Sequence, residues 1–483
     1  MNLNQRQIYD LILTYDKRLC SCLIVLFEAG LYNYPMSNNE INNNASNNDS
    51  AELAKLKSVL TIMLSVSAML AVVLITLGIT KVIGRINARE TNTSIPILVT
   101  NTSESTTFTD PIVYHTEMLE ASALVENYWR PLPELPEEDV ITPEHVEVRA
   151  LYIGTCSKLD HAIEICNNSE INAVVINLKQ EYGIPFKTKN ATAQEIGYVW
   201  DAYDIDKVIK KCHENNIRVI GRVVCFNDAL AAEHFPDRAI TDASGNVVRF
   251  SNEGNNPFLS PYNSANWDYL IEIAMEGVEH GVDEIQFDYV RFPAGATKNK
   301  AKPYYGEEGQ TPSKAEAVNR FLQEARIKIQ DARGIPVSAD IFGIVLTSPL
   351  DAGIIGQDFT TLGMTGVDSC CPMLYPSHYA LGTMLAGHVF KTPDKEPYLI
   401  VYSVLNECRS IYAQPGFTAM RPYLQAFTAS YIGKGNYMQY GYREINAQIK
   451  ACRDLGINEF VLWDPTFNYP KGAYDGNMSV QTD

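Results

Sequence analysis

A (β/α)8 barrel preceded by one membrane-spanning helix and an extended stalk is the architecture the sequence predicts. Three observations carry that expectation. Past about Val146, short β-branched runs alternate with longer segments of helical period, eight times over. Residues 58–80 run for 23 positions without a charge. Between these two regions the chain turns acidic and rich in Ser and Thr.

The first 57 residues form a separate N-terminal segment. It contains the apolar stretch CLIVLFEAGLY, interrupted by Glu28, and then seven Asn in the fourteen positions 37–50. Such a low-complexity run cannot bury a core and reads as a flexible linker. Next comes SVLTIMLSVSAMLAVVLITLGIT, residues 58–80. At 1.5 Å of rise per residue it is long enough to cross a hydrocarbon core of about 30 Å. It starts too far from the N-terminus for a cleaved signal peptide, so it is expected to remain as an anchor.

Basic residues flank both ends of the span, Lys55 and Lys57 on one side and Lys81, Arg85 and Arg89 on the other, so charge alone does not orient it. The stalk, residues 81–145, supplies the missing direction. Positions 86–147 carry 2 basic and 12 acidic side chains, and ten of residues 91–110 are Ser or Thr, the composition of a solvated extended segment. The expected location is therefore a cell membrane, single-pass, with the barrel outside.

The barrel, residues 146–483, offers eight strand candidates: VRALYIGT from Val148, AVVINLK from Ala173, RVIGRVV from Arg218, EIQFDYVRF from Glu284, PVSADIF from Pro336, SCCPMLY from Ser369, RPYLQAF from Arg421 and EFVLWDP from Glu459. Amphipathic segments such as DIDKVIKKCHENN and NWDYLIEIAMEGVEHG lie between them and end in Gly or Asn, as helix C-termini favour. The stretch YLIVYSVLNECRSIY fits either state and is assigned to a helix, which keeps eight strands. An open doubly wound sheet is the alternative arrangement of the same units.

A formal charge of −18, from 39 Lys plus Arg against 57 Asp plus Glu, argues against nucleic acid as a partner. The ten Cys are scattered and lack disulfide-scaffold or zinc spacing, and no phosphate-binding, zincin or nucleophile-elbow motif is present. Neither a metal nor another cofactor is expected.

In a barrel of this kind chemistry sits at the C-terminal ends of the strands. Alternation puts Gln286 and Asp288 on one face of strand four, with Tyr289 on the other and Arg291 just beyond. An acid within an apolar parallel strand is costly unless paired or used. Asp340 stands in the same way on strand five and Asp464 beside Trp463 on strand eight. Lys179, Arg222, Tyr375 and Gln425 complete a rim of acids, amides, bases and aromatics, a mixture suited to a neutral, hydroxyl-rich ligand such as a sugar. Asp288 and Asp340 on adjacent strands form the candidate acid pair that glycoside hydrolysis requires. Plainer readings remain beside these: an Asp288–Arg291 pair that fixes a loop, a capping Asp340, a turn-forming Asp464, and Trp463 and Tyr375 as core.

The string DEIQFDYVRFP at Asp283–Pro293, together with INAVVINLKQEYG, PVSADIFG, RPYLQAF and EFVLWDP in that order, resembles the bacterial DUF4015 family of glycosidase-like domains. The resemblance implies a TIM barrel of the broad amylase-like group, membrane-attached or secreted, that acts on an extracellular or cell-wall polysaccharide. By analogy with barrel glycosidases it implies Asp288 as the leading catalytic residue, Asp340 as its partner, and Asp464 as a substrate contact. Where the family carries acids after the strand-two run, this chain has Asn177 and Gln180, so a carbohydrate-binding or envelope-assembly protein on a degenerate barrel is the second expectation.

Overall fold

The computed structural model describes residues 131–306 and 311–477. The N-terminal segment, the apolar run 58–80 and most of the stalk lie outside the described residues; within these, no helix is long and apolar enough to cross a membrane.

All eight expected strands form: β1 Arg149–Gly154, β2 Ala173–Lys179, β3 Arg218–Val224, β4 Glu284–Asp288, β5 Val337–Phe342, β6 Ser369–Leu374, β7 Tyr423–Gln425 and β8 Phe460–Trp463. Every pairing between neighbours is parallel. The ladder runs in chain order from β1 to β6, continues through β7 to β8, and returns from β8 to β1. The sheet is therefore a closed eight-stranded parallel barrel, and the open-sheet alternative is excluded.

Helices separate the strands because parallel neighbours need a crossover. Their ends follow local chemistry. Asp204 caps the helix Ile205–His213 by accepting from the Lys207 amide, and Ser313 with Glu316 builds a capping box at Lys314–Ala325. Gly281, at φ 97°, closes Ser264–His280 in the left-handed conformation that glycine adopts without strain. The ambiguous segment is helical, Pro397–Glu407 followed by Arg409–Tyr412.

β7 is shorter than the expected Arg421–Phe427. Pro422 has no amide to give the ladder, so its neighbours on β6 are met first by Ala419–Met420 and then by β7 proper.

Two apolar layers result. The larger lies between strands and helices. A smaller one, built from Ala150, Val175, Ile220, Cys371, Tyr423 and Val461, fills the lumen. The lumen also carries charge. Arg421, fully buried, donates to Glu284, Glu459 (2.8 Å) and the Ser369 hydroxyl (2.9 Å) near the N-terminal ends of the strands.

His145 closes that end of the barrel. Its ring lies 3.0 Å from Asp368 and 2.9 Å from Glu459. Hydrogen bonds to Asp368 and then Glu459 push the His145 pKa up to about 10. Ile141 also donates to the Asp331 carbonyl at 2.7 Å, so contact with the barrel starts ahead of the expected boundary at 146.

A His whose folded pKa exceeds its unfolded value stabilises fully below the unfolded pKa, about 6.5, and loses that contribution as pH rises through about 10. Because the ring is partly exposed, solvent screening limits the effect to about 1 kcal/mol. His145→Ala is accordingly expected to lower the urea midpoint at pH 6 and to converge with the parent above pH 10. A constant difference across that range would refute the linkage.

Candidate active site

Alternation along the strands decides which side chains reach the barrel mouth. From β4, Glu284, Gln286 and Asp288 all enter the lumen, at successive depths from the Arg421 cluster to the rim. Gln286 accepts from the Tyr423 hydroxyl across the lumen at 2.6 Å. Asp288, at the strand end, borders a cavity of about 1020 Å³.

A chain of hydrogen bonds holds Asp288. The Tyr152 hydroxyl accepts from the Asn177 amide (2.9 Å), the Asn177 oxygen accepts from Arg222 Nη1 (2.9 Å), and Arg222 donates through Nε (2.9 Å) and Nη2 (2.5 Å) to Asp288 Oδ2. Oδ1 accepts from the Tyr289 amide at 2.6 Å. The buried guanidinium matches the carboxylate in charge and in geometry. Tyr289 sits at φ 50°, the left-handed region that non-glycine residues seldom adopt, which turns its ring to the cavity wall.

Asp340 is different. The register of Phe287 with Ala339 brings it beside Asp288 on the neighbouring strand. It is 1 % exposed, and neither carboxyl oxygen has a hydrogen-bond partner. Burial, and then the Asp288 charge, push its pKa well above the ordinary carboxylate range. It is not among the residues that line the cavity, whereas Phe342, Tyr375 and Tyr423 are.

The other expected site residues divide. Arg222, Tyr289, Tyr375 and Trp463 border the mouth cavity. Tyr375 and Trp463 stack on one another, centroids 5.2 Å apart and planes at 29°. Asp464 borders an adjoining cavity and shapes its own turn, accepting from the Thr466 amide and hydroxyl at 2.7 Å.

Four others stand away from the cavity walls, each for a physical reason. A register shift between Asn177 and Lys179 turns Lys179 behind the sheet, where it pairs with Asp228 at 2.8 Å and is fully buried. Arg291 forms a bidentate pair with Glu253 (2.8 and 3.1 Å) and lies 4.9 Å from the Tyr289 ring centroid, so it supports that ring from behind. Asp288 thus pairs with Arg222 rather than Arg291. Gln286 is spent on Tyr423 and Cys371, and Gln425 on the Ser377 amide, Asp394 and the Phe427 carbonyl.

Sequence reasoning passed over Glu181 and Glu407, both on the cavity wall. Glu181 stands two residues past the end of β2, so the same strand-end rule that selected Asp288 points to it. Glu407 ends a helix and gave no such signal. Also unforeseen is the antiparallel hairpin Thr383–Leu385 with His388–Phe390, which lays Met384 and Leu385 along the cavity.

A family model described as "Putative glycosyl hydrolase domain" (DUF4015) matches residues 146–469. No curated protein matches the sequence. Among solved structures, a hypothetical protein from Ruminiclostridium thermocellum ATCC 27405 is 38% identical over 39% of this chain and 96% of its own, with a TM-score of 0.35. The PgaB (BpsB) glycoside hydrolase domain from Bordetella bronchiseptica is 12% identical over 67% and 95%, with a TM-score of 0.47. The spore cortex-lytic enzyme SleL of Bacillus megaterium QM B1551 is 14% identical over 69% and 74%, with a TM-score of 0.40. The barrel assignment itself rests on the strand pairings above.

An unpaired buried carboxyl with a raised pKa costs stability as pH climbs from its unfolded toward its folded value. Asp340→Asn removes that cost. The variant is expected to match the parent near pH 4 and to gain on it progressively as pH rises to 7 in urea unfolding. Equal stability at both pH values would show that Asp340 has a partner after all.

Proposed function

The chain belongs to this glycosyl hydrolase family, and from that premise we propose that it hydrolyses a glycosidic bond in an extracellular or cell-wall polysaccharide. One observation carries the reading: at the barrel mouth a charge-matched carboxylate, Asp288, stands beside a carboxyl, Asp340, that has no partner and favours its neutral form. Glycoside hydrolysis needs this division between an ionised and a protonated acid.

In this reading Asp288 faces the sugar as nucleophile or water activator, held in place by Arg222 and the Tyr289 amide. Asp340 is the proton-bearing partner. Tyr289, Tyr375 and Trp463 offer flat apolar faces to sugar rings, and Arg222 and Asn177 fix the acid's orientation; Gln425 and Gln286 brace the loops and the lumen behind them. Asp464, with Trp463, binds a more distant part of the substrate.

A second reading, glycan binding without cleavage, has one observation in its favour. The Asp340 carboxyl does not border the cavity, and a donor must come within hydrogen-bond reach of the leaving oxygen.

The two readings separate on reducing-end release from bacterial wall and capsule polysaccharides. Asp288→Asn is expected to cut the rate by about 10²–10⁴-fold with the fold intact. Unchanged turnover would remove Asp288 from the chemistry, and glycan binding without any release would establish the second reading.

We also propose that residues 58–80 anchor the chain in the bacterial membrane with the barrel outside. Alkaline carbonate extraction should leave the full chain in the membrane pellet, and protease added to intact spheroplasts should digest the barrel. Release into the supernatant would overturn the anchor, and protection of the barrel its orientation.

A further inference from the structure

The mouth cavity does not end at the aromatic wall on its β8 side. A second cavity of about 810 Å³ lies beyond, and the two share Trp463 and His378 in their linings. Between them runs an aromatic ridge. Tyr375 stacks on Trp463, His378 meets Tyr375 edge-on at 4.9 Å, and Phe427 meets Trp463 edge-on at 5.0 Å. Each ring in the ridge is held by its neighbours, so the ridge is a rigid feature rather than a chance collapse of side chains.

The far lobe has a polar floor and an aromatic lip. Asp464, Thr428 and Thr466 supply oxygens, and Tyr431, 66% exposed, overhangs with its hydroxyl 3.0 Å from Ser377 Oγ. Either lobe alone has the volume of a site that takes a drug-sized ligand. A single sugar unit needs only part of one.

The charges on the walls limit what fits. Glu181, Asp288 and Glu407 line the near lobe and Asp464 the far one. The Arg222 guanidinium is engaged by Asp288, and burial lowers the His378 pKa, which leaves that ring neutral at pH 7. Both lobes are therefore net negative, and a polymer bearing carboxylates, phosphates or sulfates would be repelled.

We propose that the two cavities are one cleft for an extended, uncharged glycan chain that crosses the ridge at Trp463 and occupies both lobes at once. The proposal rests on the glycoside hydrolase reading and deepens it, because it makes the substrate of that site a chain long enough to fill the far lobe as well as the Asp288 lobe.

The test measures binding and cleavage separately on the full chain. Calorimetric titrations use two-unit and six-unit members of the cello-, malto-, xylo- and chito-oligosaccharide series, with oligogalacturonate as the acidic control. Asn468→Trp, at an exposed position, places an indole in the far lobe without disturbing the core. The hexamer of one neutral series should bind at least about tenfold tighter than its dimer, and Asn468→Trp, with an unchanged thermal midpoint, should erase that advantage. Oligogalacturonate should bind no better than the dimer.

Equal affinity for dimer and hexamer, a length advantage that survives Asn468→Trp, preference for the acidic chain, or no binding to any neutral series would overturn the two-lobed cleft. Reducing-end release is read alongside. Length-dependent binding without release would sustain the cleft while defeating the hydrolase reading, and release with no length dependence would do the reverse.

Discussion

Charge balance inside a dry barrel is the constraint on which the rest of the structure depends. A charge buried in the lumen gives up most of its hydration, so each must meet its opposite or give up its charge. At the N-terminal end, Arg421 and protonated His145 face Glu459, Asp368 and Glu284, three acids to two bases. The acid pushed upward is Glu284, the most deeply buried of the three, while against burial His145 and Arg421 hold Asp368 and Glu459 below their usual range. Behind the sheet Lys179 meets Asp228, and at the mouth Arg222 meets Asp288. Asp340 breaks the pattern, a buried carboxyl with no base of its own.

That exception gives the mouth its chemical asymmetry. Had a second base stood beside Asp340, both acids would be ionised and equivalent. Arg222 instead directs Nε and Nη2 to Asp288, and burial first, then the Asp288 charge, raise the energy of ionising Asp340. The difference between the two acids comes from the depth of Asp340 and from where a single guanidinium points. Its aim is set by Asn177, which takes the remaining Nη1 hydrogen bond. An Asp at that position would add a carboxylate to compete for Arg222, so the amide serves the Arg222–Asp288 pairing.

The strand pattern was readable because each barrel strand combines β-branched residues with a period of two, and a period-two pattern also names the lumen face. Parity alone put Gln286 with Asp288 and Asp340 with Ser338. It was silent where the backbone leaves the pattern. The irregularity after Asn177 sends Lys179 out of the lumen, and Pro422 shortens β7. Pairing partners distant in sequence were equally hidden: nothing near Arg291 in the chain announces Glu253, and nothing near Asp288 announces Arg222. Glu181 was legible by the strand-end rule, whereas the hairpin beside the cavity depends on a long insertion after β6 whose path only the folded chain reveals.

The same logic accounts for the division of aromatic residues. Those in the sheet–helix layer, such as Phe226, Phe287 and Phe321, pack edge to face. Those at the mouth, Tyr152, Tyr289, Tyr375 and Trp463, each keep one side against the barrel and one toward the cavity. Arg291 backs Tyr289, and Arg222 lies beside the Tyr152 ring on the cavity wall with its guanidinium committed to Asp288. With Arg222 paired to Asp288 and Arg291 turned away to Glu253, the surface left for a ligand is aromatic and bordered by carboxylates. Stacking and hydroxyl hydrogen bonds are the contacts such a surface can make, which is the physical basis for assigning it an uncharged sugar chain.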